Sequence, residues 1–187
     1  MMTDGDVAGK SPWLSALGNQ MRAGRGCSLV IILVALCVTM AGAADTTLLR
    51  NGMAPPSVIL RSLSGGQTII PDNLRGNVAI IHFWAAQCDS CTREMPAIDR
   101  IYKAYSRRGV AVAAVNVGQK QGMVRSFVND LHLVMPVYLD EAKQAANRYE
   151  VVAVPRTYIL DRRGVIRYKI LGPAGEETLK KLVNSLL

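Results

Sequence analysis

The sequence is poor in charge and in aromatic side chains: Asp, Glu, Lys and Arg make up 19% of its 187 residues, and Phe, Trp and Tyr 5%. Half of the residues are apolar, so scarce charge argues against a disordered chain or a coiled coil. Sixteen Gly and eight Pro without an internal repeat exclude collagen-like and low-complexity architectures. Four Cys are too few for a small disulfide-stapled scaffold. His82 and His132, with no second cysteine pair beside Cys88 and Cys91, fall short of the roughly four N or S ligands of a structural zinc site. The 22 basic residues exceed the 14 acidic ones, for a net charge of +8. Like charges never exceed two in a row, and no aromatic residues interleave them, so nucleic acid is not an expected partner. Arg107-Arg108, Arg162-Arg163 and Lys180-Lys181 read as solvated helix ends and turns.

No apolar run reaches the roughly 20 residues that cross a bilayer as a helix. The longest, residues 28–41 (SLVIILVALCVTMA), is about 14 long, follows Arg22 and Arg25, and ends in Ala41-Gly42-Ala43. A basic start, an apolar centre and a small-x-small cleavage site make a secretory signal. Residues 1–44 are therefore expected to be a signal peptide or an uncleaved membrane anchor, with the N-terminus cytoplasmic in either case. Met21 starts a compact signal without the acidic prefix of Asp4 and Asp6, so it is the expected initiator. Residues 45–55 then form a linker and 56–187 the folded domain. Cys27 and Cys37 belong to the leader, which leaves Cys88 and Cys91 in the domain.

Periodicity orders the rest. Residues 58–63 and 67–70 flank Gly65-Gly66, a hairpin signature. Residues 78–84 (VAIIHFW) and 110–117 (VAVAAVNV) are near-continuous apolar runs, the mark of strands covered on both faces. Helical spacing recurs at Ile98, Ile101, Tyr102 and Tyr105; at Val124, Phe127, Val128 and Leu131; at Ala142, Ala145, Ala146 and Tyr149; and at Leu179, Leu182, Val183 and Leu186. Short strands are expected at 136–139 and 157–160, and a strand with one exposed face at 165–171. This alternation predicts an α/β domain with a mixed sheet.

Cys88-Asp89-Ser90-Cys91 follows the first buried strand and opens the next helix. Two intervening residues on a helical first turn bring the sulfurs within disulfide reach. The first sulfur lies near the free N–H groups and positive end of the helix, which stabilise its thiolate. Cys88 is the expected nucleophile and Cys91 the resolving thiol. A purely structural bridge this short would close little chain, and the stretch Ala85-Ala86-Gln87 lacks the upstream hydroxyl of a peroxidatic site. His82, six residues before Cys88, reads either as a satisfied core histidine or as a proton relay for Cys91. Glu94 reads either as a solvated helix acid or as a proton-handling group.

Residues 83–96 (FWAAQCDSCTREMP) resemble the Phe-Trp-Ala-x-Trp-Cys-x-x-Cys-x-x-Glu-x-Pro signature of TlpA/ResA-like thioredoxin-fold proteins, and residues 154–161 (VPRTYILD) are similar to that family's cis-proline segment. The resemblance spans about residues 50–187. It implies a thioredoxin-like mixed sheet with flanking helices, an N-terminal hairpin and a helix-strand insert near 118–141. It also implies a cis Pro155 beside the cysteines, a substrate surface at Trp84, Val154 and Pro155, and proton handling at Glu94. Pro96 would kink the cysteine helix. No cofactor or metal is implied.

The implied activity is that of an exported thiol-disulfide oxidoreductase, periplasmic, either soluble after signal cleavage or tethered by residues 28–44. Implied partners are disulfide-containing exported proteins, among them apocytochrome c or copper-site assembly proteins, and a membrane thiol-electron transporter. The rival reading is a binding module, a copper(I) metallochaperone or apoprotein holdase. Departures from the signature are Gln87 for Trp, Asp89-Ser90 for a Pro-containing pair, Ala153 for Gly and Arg156 for Thr. Asp89 and Ser90 are expected to tune the redox potential. Asp89 raises the Cys88 pKa, partly offset by an i, i+4 pair with Arg93, which favours a reducing protein.

Overall fold

The computed structural model of the protein describes residues 48–187. The expected leader, the Met21 start, Cys27 and Cys37 lie outside the described residues. The elements run β1 (Val58–Ser62), β2 (Gln67–Ile70), β3 (Val78–Trp84), α1 (Asp89–Tyr105), β4 (Val110–Val117), α2 (Gln121–Asp130), β5 (Val137–Asp140), α3 (Gln144–Arg148), β6 (Arg156–Leu160), β7 (Ile166–Leu171) and α4 (Glu176–Asn184). The strands form one mixed sheet in the order β2-β1-β5-β4-β3-β6-β7. β4 lies parallel between β3 and β5, while β1, β6 and β7 each pair antiparallel with their neighbours. This is the thioredoxin-like arrangement, with the β1–β2 hairpin and the α2–β5 unit extending one side of the sheet.

β3 carries the domain because its side chains feed two cores. All seven residues are buried. Val78, Ile80 and Trp84 face Cys91, Met95, Ile98, Val124 and Leu179, whereas Ala79, Ile81 and Phe83 face Leu60, Ile70, Tyr149 and Tyr158. Strand alternation alone produces this division. The second core is aromatic: the Tyr149 ring lies 5.2 Å from Phe83 and 5.5 Å from Tyr158, centroid to centroid.

Two elements differ from expectation. α3 omits Ala142, because Lys143 adopts a left-handed φ of 57° and the Asp140 carboxylate accepts the Ala145 and Ala146 N–H groups, fixing where the helix starts. β7 shows no one-sided exposure. Its burial grades from Ile166 to the exposed Leu171, since Tyr168 and Ile170 pack on the α1 side and Lys169 reaches Leu49 and Glu150.

Asp99 ties α1 to the insert. Its Oδ1 accepts the Val134 and Met135 N–H groups at 2.8 and 2.9 Å, and Lys103 Nζ lies 2.7 Å from Oδ2. Burial pushes its pKa up, but Lys103 and the two amides outweigh burial and hold it below the usual carboxylate range. Asp99→Ala leaves two amide donors without an acceptor and is expected to lower the unfolding free energy by roughly 2–4 kcal/mol in a urea titration. With the folded pKa below the unfolded value of about 3.9, the ionised carboxylate stabilises fully above that pH and less as pH falls through the folded value. Asp99→Asn is therefore expected to flatten the acid limb of the stability profile; an unchanged acid limb contradicts this role.

Candidate active site

Cys88 caps α1. Its backbone is extended, and its sulfur occupies the position where a Ser, Thr, Asp or Asn oxygen ordinarily accepts a free helical N–H. Sγ accepts from the Cys91 N–H at 3.2 Å, and the Ser90 hydroxyl lies 3.3 Å from it. The positive end of a 17-residue helix thus bears on this sulfur. Cys88 and Cys91 form a disulfide with their Cα atoms 5.2 Å apart. Cys91 is fully buried and Cys88 half-buried, so after reduction only Cys88 faces an incoming partner.

The Val154–Pro155 peptide is cis, and the Val154 carbonyl oxygen sits 3.9 Å from Cys88 Sγ. Pro155 is buried, Val154 half-buried, and Val152 91% exposed. Trp84, expected at the substrate surface, presents none: it is fully buried and lies 4.7 Å from the Phe127 ring. Its place on β3 turns it toward α1, where α2 covers it.

His82 pairs with Thr157 across β3 and β6, its Nδ1 2.9 Å from Thr157 Oγ1. It alternates onto the α1 face with Ile80 and Trp84. Burial lowers its pKa to about 3, so the imidazole is neutral, and Nε2 has no partner among the described residues. Glu94 is not the solvated acid of one sequence reading. It is 4% exposed, with Oε1 accepting the Ala174 N–H at 2.9 Å and Oε2 unpartnered. Burial raises its pKa, the Ala174 amide opposing. A cavity of about 190 Å³ beside Ser90, Arg93, Glu94 and Ala174 leads to it. Asp89 and Arg93 are both exposed and form none of the ion pairs among the described residues. Such a pair gains only about 0.3–0.5 kcal/mol against side-chain entropy.

Gln119 escaped the sequence reading. Its Oε1 accepts the Ala86 N–H and the Asn116 Nδ2–H, both at 2.8 Å, pinning the loop that delivers Cys88. The available signal was Asn116, the one polar residue in VAVAAVNV, opposite Trp84 in the β3–β4 register. A cavity of about 480 Å³ at the start of β5, among Leu63, Arg125 and Met135, includes none of the site's side chains.

Residues 52–169 match the AhpC/TSA family. The chain is 31% identical over 160 residues to the thiol-disulfide oxidoreductase ResA of Geobacillus thermodenitrificans, covering 84% of this chain and 91% of that protein. StoA of Bacillus subtilis superposes with a TM-score of 0.60 at 28% identity, over 68% of this chain and 96% of that one. A thiol:disulfide interchange protein of the thioredoxin family from Chlorobium tepidum superposes with a TM-score of 0.65 at 22% identity, over 73% and 97%. The last likeness bears on the fold alone.

The raised Glu94 pKa has a measurable sign. The folded protein holds a proton that the unfolded chain releases, so stability falls as pH rises from the unfolded value of about 4.3 toward the folded one. Glu94→Gln keeps an acceptor for Ala174 and is expected to flatten that decline in melting temperatures measured from acid to neutral pH. Parallel profiles for wild type and variant would contradict the buried-acid assignment.

Proposed function

The chain belongs to the AhpC/TSA family as a ResA-like thiol-disulfide oxidoreductase, and on that premise we propose that it reduces disulfides of exported proteins through a Cys88/Cys91 cycle. The observation that carries this reading is the asymmetry of the pair: a half-exposed sulfur held by a helix N-terminus beside a fully buried one. The Cys88 thiolate attacks one sulfur of a client disulfide; that S–S bond breaks, a mixed disulfide forms, and the departing client thiolate takes a proton. Cys91, once deprotonated, attacks Cys88 Sγ, closes the internal disulfide and releases the second client thiol. Two electrons pass to the client, and a membrane thiol-electron transporter supplies two more that reduce the Cys88–Cys91 disulfide back to the dithiol.

Val154 and Pro155 supply the docking edge, with the Val154 backbone pairing with an extended client segment. Glu94 lies one helical turn from Cys91, and its raised pKa suits it to hold the proton that Cys91 must lose. His82, strongly disposed to stay neutral, passes a proton rather than stores one. Asp89, unneutralised by Arg93, disfavours the thiolate and makes the dithiol a better donor, while the Ser90 hydroxyl moderates this by bonding to the sulfur. Residues 1–44 direct the chain to the periplasm, where it is soluble after cleavage or tethered by residues 28–44. Its clients are disulfide-containing exported proteins such as apocytochrome c or copper-site assembly proteins. No specific observation favours the copper(I)-carrier alternative: Cys88 and Cys91 are joined to each other in a disulfide.

Cys91→Ser removes the resolving step. It is expected to accumulate a covalent Cys88–client complex, visible on non-reducing gels, and to lose multiple turnover. Full turnover by Cys91→Ser would defeat the two-cysteine cycle.

A further inference from the structure

The cavity of about 480 Å³ lies between the end of β1, α2 and the start of β5, and the cysteine cycle does not use it. Neither the cysteines nor Val154 and Pro155 line it. Its floor belongs to the core: Leu63, Leu133, Met135 and Val137 are all buried. The half-buried Val128 of α2 completes the apolar wall. A space of roughly 300–1,000 Å³ with apolar walls and a few fixed polar groups is the ordinary shape of a small-molecule site.

Hydrogen bonds brace each wall. The Leu63 N–H donates to the Val137 carbonyl at 2.9 Å, joining the hairpin to β5. Asp99 of α1 accepts the Val134 and Met135 N–H groups, and its other oxygen is paired with Lys103. The Ser62 and Ser64 hydroxyls lie 2.8 Å apart at the turn. Arg125 Nη2 donates to the Leu63 carbonyl at 3.1 Å, tying α2 to the hairpin. Walls held in this way need little reorganisation when a ligand enters.

Arg125 is the one charged residue in the lining. It is exposed and joins none of the ion pairs among the described residues. A guanidinium carries five N–H donors in a planar fork that matches a carboxylate, so the bond to Leu63 orients the group without exhausting it. Asn129, one helical turn further on, adds an amide to the same wall.

We propose that this cavity binds a small apolar monocarboxylate, an alkyl or aryl acid. Its body lies on Leu133, Met135 and Val137, and its carboxylate meets Arg125. The single cation sets the ligand class. A polyanion would bring several charges to one partner, a cationic amphiphile would be repelled, and a neutral one would leave the guanidinium unmatched. α2 borders both sites, since its Phe127 covers Trp84 while Arg125 and Val128 line the cavity. The inference stands apart from the cysteine cycle and does not depend on it.

Methionine methyl groups report the binding. Met135 is 3% exposed and lines the cavity, whereas Met123 is 45% exposed and lies outside it, a control for surface adsorption. Octanoate is titrated into oxidised protein carrying isotope-labelled methionine methyls. It is expected to shift the Met135 signal saturably, with a dissociation constant below about 1 mM, and to leave Met123 in place. Octylamine, with the opposite charge on the same chain, is expected to bind about tenfold more weakly. Arg125→Gln should weaken octanoate about fivefold and leave octanol as it is. Rising ionic strength should weaken octanoate but not octanol in wild type, a readout independent of any variant's folding. Val128→Phe, which fills the cavity, should abolish the Met135 shift. The absence of a saturable Met135 shift, parallel shifts of Met123 and Met135, equal affinities for octanoate and octylamine, or unchanged octanoate affinity in folded Arg125→Gln overturns the proposal.

Discussion

The N-terminus of α1 leaves backbone N–H groups without helical partners, and the Cys88 sulfur is the acceptor that one of them finds, 3.2 Å from the Cys91 nitrogen. Much of the domain positions that single contact. β3 ends beneath it, Gln119 ties down the loop between, and the cis Val154–Pro155 segment brings a carbonyl against the same sulfur. A sulfur in place of the usual capping oxygen makes a group that stabilises the helix into one that the helix in turn activates. Removing the second cysteine from solvent gives the pair a direction, since one thiol can be reached from outside and the other only from within.

Local rules of satisfaction are broken mainly around this centre. Of the buried polar side-chain atoms without a partner among the described residues, those of His82, Trp84, Glu94, Asn116 and Arg156 belong to the strands and helix that converge on the cysteines; Tyr149 is the exception. Buried polar groups are ordinarily paired, and departures from local consistency gather where function requires them. Glu94 and His82 titrate away from their ordinary ranges for one shared reason, burial. The outcomes are opposite: the acid is inclined to keep a proton and the imidazole to refuse one.

Much of this was legible in the sequence, for physical reasons. Strands covered on both faces read as unbroken apolar runs, so VAIIHFW and VAVAAVNV coincide with β3 and β4 residue for residue. Gly65-Gly66 marked the hairpin, and the cysteine spacing placed both sulfurs on the first turn of α1. The cis bond before Pro155 came from the resemblance and not from propensity; the second, before Pro71, had no sequence signal. What periodicity cannot report is cover from a distant segment. Glu94 read equally as a solvated helix acid or as a proton-handling group, and its enclosure comes from Ala174, eighty positions away. Trp84 looked available to a partner until α2 closed over it.

The central claim is that one thiol is presented and its neighbour withheld. Alkylation of the reduced, folded protein, followed by peptide mass spectrometry over time, tests it most directly. Cys88 is expected to be modified first, with Cys91 protected until the domain unfolds. Equal rates for the two, or modification of Cys91 ahead of Cys88, would contradict the account.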